Sequence, residues 1–260
     1  DIINTATSMG SVVIAAAGNS GSETQFYPAS FSNVLSVGSV NTNDIKADYS
    51  NYHYSVDVMA TGTDIYNATI HSDDGDDSND YVYKNGTSMA APFVSGLAAL
   101  IKSEHPNWSP MQIMAQIRST AKRIDSSNPS EMEYKLGKGV IDAEAALGNP
   151  KPGIIIHNPE IVNEEGQKLD RGESGLFNID LANYGSATDN LTLNLISNDD
   201  NVTVNDAQVS VGSLNKNDTT QASFEVSLPE EYDLTNTPSF IIEMQDSGNG
   251  YSDFYGFNYD

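Results

Sequence analysis

The sequence contains no cysteine. That excludes disulfides, thiolate metal centres and a cysteine nucleophile. Basic residues are scarce: 12 Lys and Arg stand against 36 Asp and Glu, a formal charge of −24 over 260 residues. A protein that grips a phosphate backbone needs a basic face, so the charge argues against nucleic acid as a partner. It argues equally against docking on anionic lipid. No apolar run approaches the ~18 residues needed to cross a bilayer. The first residues, Asp1-Ile2-Ile3-Asn4, lack an initiator Met and the basic-then-apolar pattern of a leader. The chain therefore reads as a mature product or a piece of a longer one.

What is present is enough for globular structure. Apolar residues make up 38% and there are 20 Gly, an ordinary balance for a chain that buries a core. The length fits one or two domains. Composition changes at Gly148-Asn149-Pro150-Lys151-Pro152-Gly153, where two prolines and two glycines break any helix. The expected division is 1–148, a linker at 149–153, and 154–260. Charge is uneven across it, −9 before and −15 after.

The first part alternates strand-like and helix-like runs, which predicts an α/β fold with a parallel sheet. Val12-Val13-Ile14-Ala15-Ala16-Ala17 lies between glycines and reads as a strand buried on both faces. Val34 to Val40 and Ser55 to Met59 read as further strands. Ser88 to Ser103 is helical and almost wholly apolar, which predicts a buried helix. Ser109-Pro110 opens another helix, to about Lys122, with Ser as N-cap and Pro at the first helical position. Asp142 caps a last short helix through Leu147. After the linker, Leu176 to Leu181, Leu191 to Leu195, Ala222 to Val226 and Ile241 to Met244 alternate with period two between turn clusters. That pattern predicts an antiparallel β-sandwich. Tyr251 to Phe257 reads as its final strand.

Two strings carry chemistry. Ala16-Ala17-Gly18-Asn19-Ser20-Gly21 follows a buried strand, and Asn85-Gly86-Thr87-Ser88-Met89-Ala90-Ala91-Pro92 precedes a buried helix. An Asn at the carboxyl edge of a parallel sheet stands where open α/β sheets bind ligands. A Ser at a helix N-terminus sits among unpaired N–H groups. Together they could stabilise the oxyanion of an acyl-transfer intermediate.

In full, these strings resemble the subtilisin-like serine proteases, the subtilases. Gly86-Thr87-Ser88-Met89-Ala90-Ala91-Pro92 matches that family's nucleophile motif, and Ala17-Gly18-Asn19-Ser20-Gly21 its oxyanion-Asn motif. Tyr27-Pro28-Ala29-Ser30, Asp57 to Gly62, His105 to Ser109 and Gly137 to Ala143 are similar to the family and occur in its order. The resemblance covers about residues 1–148. It implies a subtilisin-like domain, partial and missing its N-terminal part, followed by a small all-β immunoglobulin-like sandwich. It implies that Ser88 is the nucleophile, and that the Asn19 amide and Ser88 N–H form the oxyanion hole. Ala16, Ala17 and Gly18 would line the pocket for the residue before the scissile bond. Phe26 falls at its floor, where a ring favours small residues; an ordinary core ring is the alternative.

The family's Asp-Ser/Thr-Gly and His-Gly-Thr-His strings do not occur here. The expected partners are a polypeptide substrate and a missing N-terminal part of the catalytic domain carrying the Asp and His. Of the four histidines, His53 is expected in an exposed loop, His71 at an acidic run, His105 at a helix end and His157 in the second domain. None is assigned as a replacement base. An unactivated Ser88 reacts poorly, so the chain alone is expected to be inactive. A non-catalytic scaffold that kept a subtilase half-domain is the alternative; a lipase-like hydrolase is disfavoured, since no Gly-x-Ser-x-Gly elbow occurs.

No cofactor is required for the chemistry. A structural Ca²⁺ on the backbone carbonyls of Ala29, Phe31 and Val34 is a family-based expectation that leaves no signature in sequence. The acidic run Asp73 to Asp80 fits no EF-hand register and reads as a solvated loop. The resemblance implies secretion from, or display on, a bacterial cell. The loss of early strands predicts a bare apolar sheet edge.

Overall fold

The computed structural model describes residues 2–69 and 81–259. The acidic run and His71 lie outside the described residues. The chain forms two compact units, residues 1–149 and 150–260. No helix among the described residues is long and apolar enough to cross a membrane.

In the first unit β1 (Ile14–Ala16), β2 (Leu35–Val40) and β3 (Val58–Thr61) form a parallel sheet in that order. Ile14 pairs with Leu35, and Val37 with Val58. Every residue of β2 is buried, as expected of a central strand. The run from Val12 departs from expectation: β1 is shorter and only half-buried. The reason is its place at the sheet edge, paired with β2 alone among the described strands. Before it, α1 (Ile2–Ser8) buries none of its residues.

Helix α2 (Thr87–Glu104) covers the sheet. Thr87, Ala90, Val94, Leu97, Ala98 and Ile101 are buried at three- and four-residue spacing, the stripe one helical face presents. Its apolar content misleads: Phe93 and Leu100, on other faces, are 50% and 54% exposed. The helix packs with Leu35, Val37, Val58 and Ala60 in one core, joined by Ile113 and Ile117 of α3 (Pro110–Thr120). Ser109 caps α3 through Gln112 N–H, and Gln112 Oε1 accepts the Ser109 N–H in return. The helix stops at Thr120, short of Lys122, because Lys122 turns to pair its backbone with Val140. Arg118 of α3 reaches Asp57, just ahead of β3, at 2.6 Å, and the other Asp57 oxygen accepts the Ser36 N–H at 2.9 Å. The short α4 (Ala143–Ala146) follows Asp142, whose carboxylate accepts the Ala145 N–H.

The second unit holds two four-stranded antiparallel sheets. One contains β6 (Ile154–Val162), β7 (Ser174–Asn183), β11 (Thr219–Ser227) and β9 (Thr203–Val204); the other β10 (Gln208–Gly212), β8 (Leu191–Ser197), β12 (Ser239–Asp246) and β13 (Tyr251–Asn258). Phe177, Ile179 and Phe224 from the first share a core with Leu193, Phe240 and Ile242 from the second. Lys151 and Gly153, in the Pro/Gly-rich stretch, bond to the turn at 183–186.

Asp246 is a structural acid. It is 2% exposed and accepts N–H bonds from Asp189, Asn190 and Gly248 at 2.9, 2.9 and 3.0 Å. Burial pushes its pKa up, but the three backbone donors together with the Asn249 side chain outweigh this and hold it below the usual carboxylate value. A folded-state pKa below the unfolded one means a contribution present above about pH 4 and lost as pH falls through the folded value. Asp246→Ala should cost the second unit about 2 kcal/mol at pH 7. Urea unfolding at pH 7 and pH 3 should show that gap narrowing in acid.

Candidate active site

The chain leaves β1 through Ala17, whose N–H continues the ladder to Val37 O at 2.9 Å. It then turns at Gly18, with φ +103°. Asn51, fully buried, clamps this turn: its Nδ2 donates to Ala17 O (3.0 Å), its Oδ1 accepts the Ser20 N–H (2.8 Å), and its own N–H donates to Gly18 O (3.0 Å). The turn that carries Asn51 wraps a buried lysine. Lys46 Nζ donates to the carbonyls of Ala47 and Ser50 at 2.9 and 3.0 Å. Burial lowers its pKa, with Asp48 opposing.

The second string follows the antiparallel hairpin β4 (Ile65–Ala68) and β5 (Tyr81–Lys84). Gly86 donates to Gly62 O at 2.9 Å, and the same carbonyl accepts Tyr49 OH at 2.8 Å. Helix α2 then begins, with Ser88 as its second residue. Pro92 has no N–H to offer the Ser88 carbonyl four residues earlier. Ser88 is exposed, while Gly86 and Thr87 beside it are buried.

The two strings meet through Thr87. Asn19 Oδ1 accepts both the Thr87 N–H and the Thr87 hydroxyl at 2.9 Å. Thr87 Oγ1 in turn accepts the Gly18 N–H at 3.3 Å. The amide oxygen of Asn19 is thus taken up, and its amino group is the open end. Among the described residues no hydrogen bond engages Asn19 Nδ2, Ser88 N–H or Ser88 Oγ. Two uncommitted N–H donors beside an exposed hydroxyl can hold a developing oxyanion.

Of the expected pocket residues, Ala17 and Gly18 are buried and Ala16 is half-buried. Phe26 is 47% exposed and is not a core ring. A Cβ on Gly18 would stand 3.0 Å from Phe26 Cγ and closer still to Asn51 Nδ2, so ring and loop are in close contact. The Ala29–Val34 stretch is a run of turns, in which Phe31 O accepts the Val34 N–H at 3.3 Å. Ala29 and Val34 are buried, and Phe31 is half-exposed. No group of three or more His, Cys, Asp or Glu that could hold a metal occurs among the described residues. Backbone carbonyls, by contrast, are hard oxygen donors of the kind Ca²⁺ takes.

His53 corrects the expectation of an exposed loop. It is 6% exposed, and its Nδ1 accepts the Ser55 N–H at 3.1 Å. His105 stacks on Trp108 with ring centroids 3.9 Å apart. His157 lies in the second unit, its pKa lowered by burial against the pull of Asp180. No histidine or carboxylate among the described residues hydrogen-bonds Ser88. Sequence reasoning overlooked Thr87 and Asn51. Thr87 lies inside the motif but reads there as a neighbour of Ser88. Asn51 gave no signal, being 31 residues from the loop it clamps.

A model of the subtilase family matches residues 1–143. Subtilisin BL and subtilisin Savinase, both from Lederbergia lenta, are each 38% identical over 144 residues, covering 55% of this chain and 49% of theirs. The thermophilic serine proteinase of Bacillus sp. (strain AK1) is 46% identical over 125 residues, 48% of this chain and 29% of that protein. A solved protease of Pseudoalteromonas arctica aligns with a TM-score of 0.49 at 37% identity, covering 56% of this chain and 44% of that one. The chain spans about half the length of the first two relatives.

The Gly18 turn has a measurable consequence. Gly18→Ala forces a side chain into positive φ and against Asn51. It should destabilise the first unit by at least about 2 kcal/mol, read as a lower urea midpoint. An unchanged midpoint would show that the loop relaxes freely.

Proposed function

The chain belongs to the subtilase family through residues 1–143, and we propose that it supplies the nucleophile and oxyanion site of a serine endopeptidase. The observation that carries this reading is the double hold of Thr87 on Asn19 Oδ1. It keeps an amide donor available at the first turn of α2, which carries Ser88. Ser88 Oγ attacks the scissile carbonyl, and the oxyanion accepts hydrogen bonds from Asn19 Nδ2 and Ser88 N–H. Collapse of that intermediate expels the amine, which takes the proton that a general base removed from the Ser88 hydroxyl, and leaves an acyl-enzyme, which water hydrolyses.

The general base and its orienting acid are proposed to lie on polypeptide outside the described residues. Ala16, Ala17 and Gly18 form the wall of the substrate pocket, with Phe26 narrowing it toward small side chains. The second unit is proposed to be an immunoglobulin-like accessory sandwich, and the protein to act outside a bacterial cell. A structural Ca²⁺ on the carbonyls of Ala29, Phe31 and Val34 belongs to the same proposal. Removing calcium with EDTA should then lower the unfolding temperature of the first unit, and an unchanged melt would remove the ion from the scheme.

Two measurements test the activity. In a complete protein that contains this chain, Ser88→Ala should abolish both peptide hydrolysis and labelling by a fluorophosphonate. Asn19→Ala should lower kcat on the order of 10²–10³-fold, a magnitude taken from subtilisin itself. The 260-residue chain alone should hydrolyse no peptide. Failure of Ser88 to label in the complete protein would favour the scaffold alternative.

A further inference from the structure

The hairpin of β4 and β5 has two unlike faces. Ile65, Val82 and Lys84 alternate onto one, which is half-buried. Tyr66, Tyr81 and Tyr83 point the other way, and each is more than half exposed. Tyr66 pairs across the strands with Tyr83, and Ala68 with Tyr81. The Tyr66 ring stands between the other two, its centroid 4.9 Å from that of Tyr83 and 5.5 Å from that of Tyr81. Cross-strand aromatic pairs brace a sheet, and a two-stranded sheet needs bracing. That need accounts for the stacking. It does not account for an end ring on each side that turns one face away from Tyr66.

The two ends of the stack differ. Beyond Tyr83 the ladder runs through Ile65 and Lys84 to Asp64 and Asn85, where the Asp64 N–H donates to Asn85 Oδ1 at 2.5 Å. Asn85 leads directly into Gly86-Thr87-Ser88. Asp64 is exposed, and among the described residues its carboxylate has no hydrogen-bond or ion-pair partner. It lies two ladder positions from Tyr83, about 7 Å along the strand. A carboxylate so close to an aromatic face suits a cation that is also flat. A guanidinium stacks on such a ring and donates to a carboxylate at its own edge. The first part of the chain carries a net charge of −9, so a basic segment is drawn toward it.

We propose that Tyr83 and Asp64 hold a basic side chain of the polypeptide substrate, arginine above all, at a position outside the pocket at Ala16 to Gly18. The proposal rests on the protease reading and gives its substrate a charge.

The test uses a complete protein that contains this chain and a set of peptides sharing one scissile sequence. A single arginine or glutamate is moved through the flanking positions. At one position kcat/KM should favour arginine on the order of tenfold, and added salt should shrink the preference. Asp64→Asn removes the charge and tolerates the positive φ of +56° at this site. It should cut the preference by up to about fivefold. Tyr83→Leu keeps an apolar strand residue and should cut it about two- to fivefold. Tyr81→Leu, at the far end of the stack, should cut it less; an equal loss would make the whole face the determinant and overturn the assignment. The 260-residue chain gives a readout free of catalysis. N-acetylarginine amide should shift the NMR signals of the Tyr83 ring more than those of Tyr81, and N-acetylglutamate amide should shift neither. Hydrolysis without arginine preference, or a preference that survives both the Tyr83 and the Asp64 changes, would overturn the proposal and leave the catalytic reading standing. Arginine-induced shifts at Tyr83 in a protein that hydrolyses no peptide would remove the catalytic reading and leave the basic site.

Discussion

The carbonyl end of the Asn19 side chain is held twice by Thr87, once by a backbone N–H and once by a hydroxyl. The pair joins the end of strand β1 to the first turn of helix α2 across 68 residues of sequence. It also decides which way the amide faces. A backbone N–H can only donate, so the atom it meets must be Oδ1, and Nδ2 must take the other side. An Asn left to rotate would lose side-chain entropy each time it bound an oxyanion. Here that entropy is surrendered on folding, which is what the proposed oxyanion role requires.

That bond forms only if strand end and helix start are themselves in place, and buried polar groups see to this. Asn51 satisfies three backbone groups of the Ala17–Ser20 loop. Lys46 stabilises the turn that delivers Asn51. Tyr49 and Gly86 converge on the Gly62 carbonyl from two directions. The Asp57–Arg118 pair fastens α3 to the sheet. Each contact is modest in water-exchanged free energy. Deleting one partner strands the other away from water, and that cost is the larger.

The second unit resolves a different problem, a large excess of negative charge around a small core. It keeps most acids at the surface and satisfies those it buries, as the three N–H bonds to Asp246 illustrate. Phe177, Phe224 and Phe240 pack at its centre, with centroids 5.2 to 6.4 Å apart. A cavity that Phe240 helps to line also holds Tyr232, whose hydroxyl donates to Asp199.

Much of this was legible from residue order alone. Strings of contiguous residues specify local events: Ser109 and Gln112 cap a helix, alternation at Leu191-Thr192-Leu193 makes a strand, and Gly86 to Pro92 with Ala17 to Gly21 carries the resemblance to subtilases. These need only nearest neighbours and periodicity. Apolar content alone was a poorer guide to burial. The Val12 run proved half-buried because it sits at a sheet edge, and α2 left Phe93 and Leu100 in solvent because a helix presents one face at a time to a sheet. What sequence determined, then, was which residues are chemically able to act: a Ser at a helix start and an Asn at a strand end. Tertiary structure alone decided that Thr87 turns the Asn19 amide, that Asn51 holds its loop and that His53 is buried. Those outcomes depend on groups distant in sequence meeting in space, and a hydrogen bond between them exists only once the whole unit has closed around it.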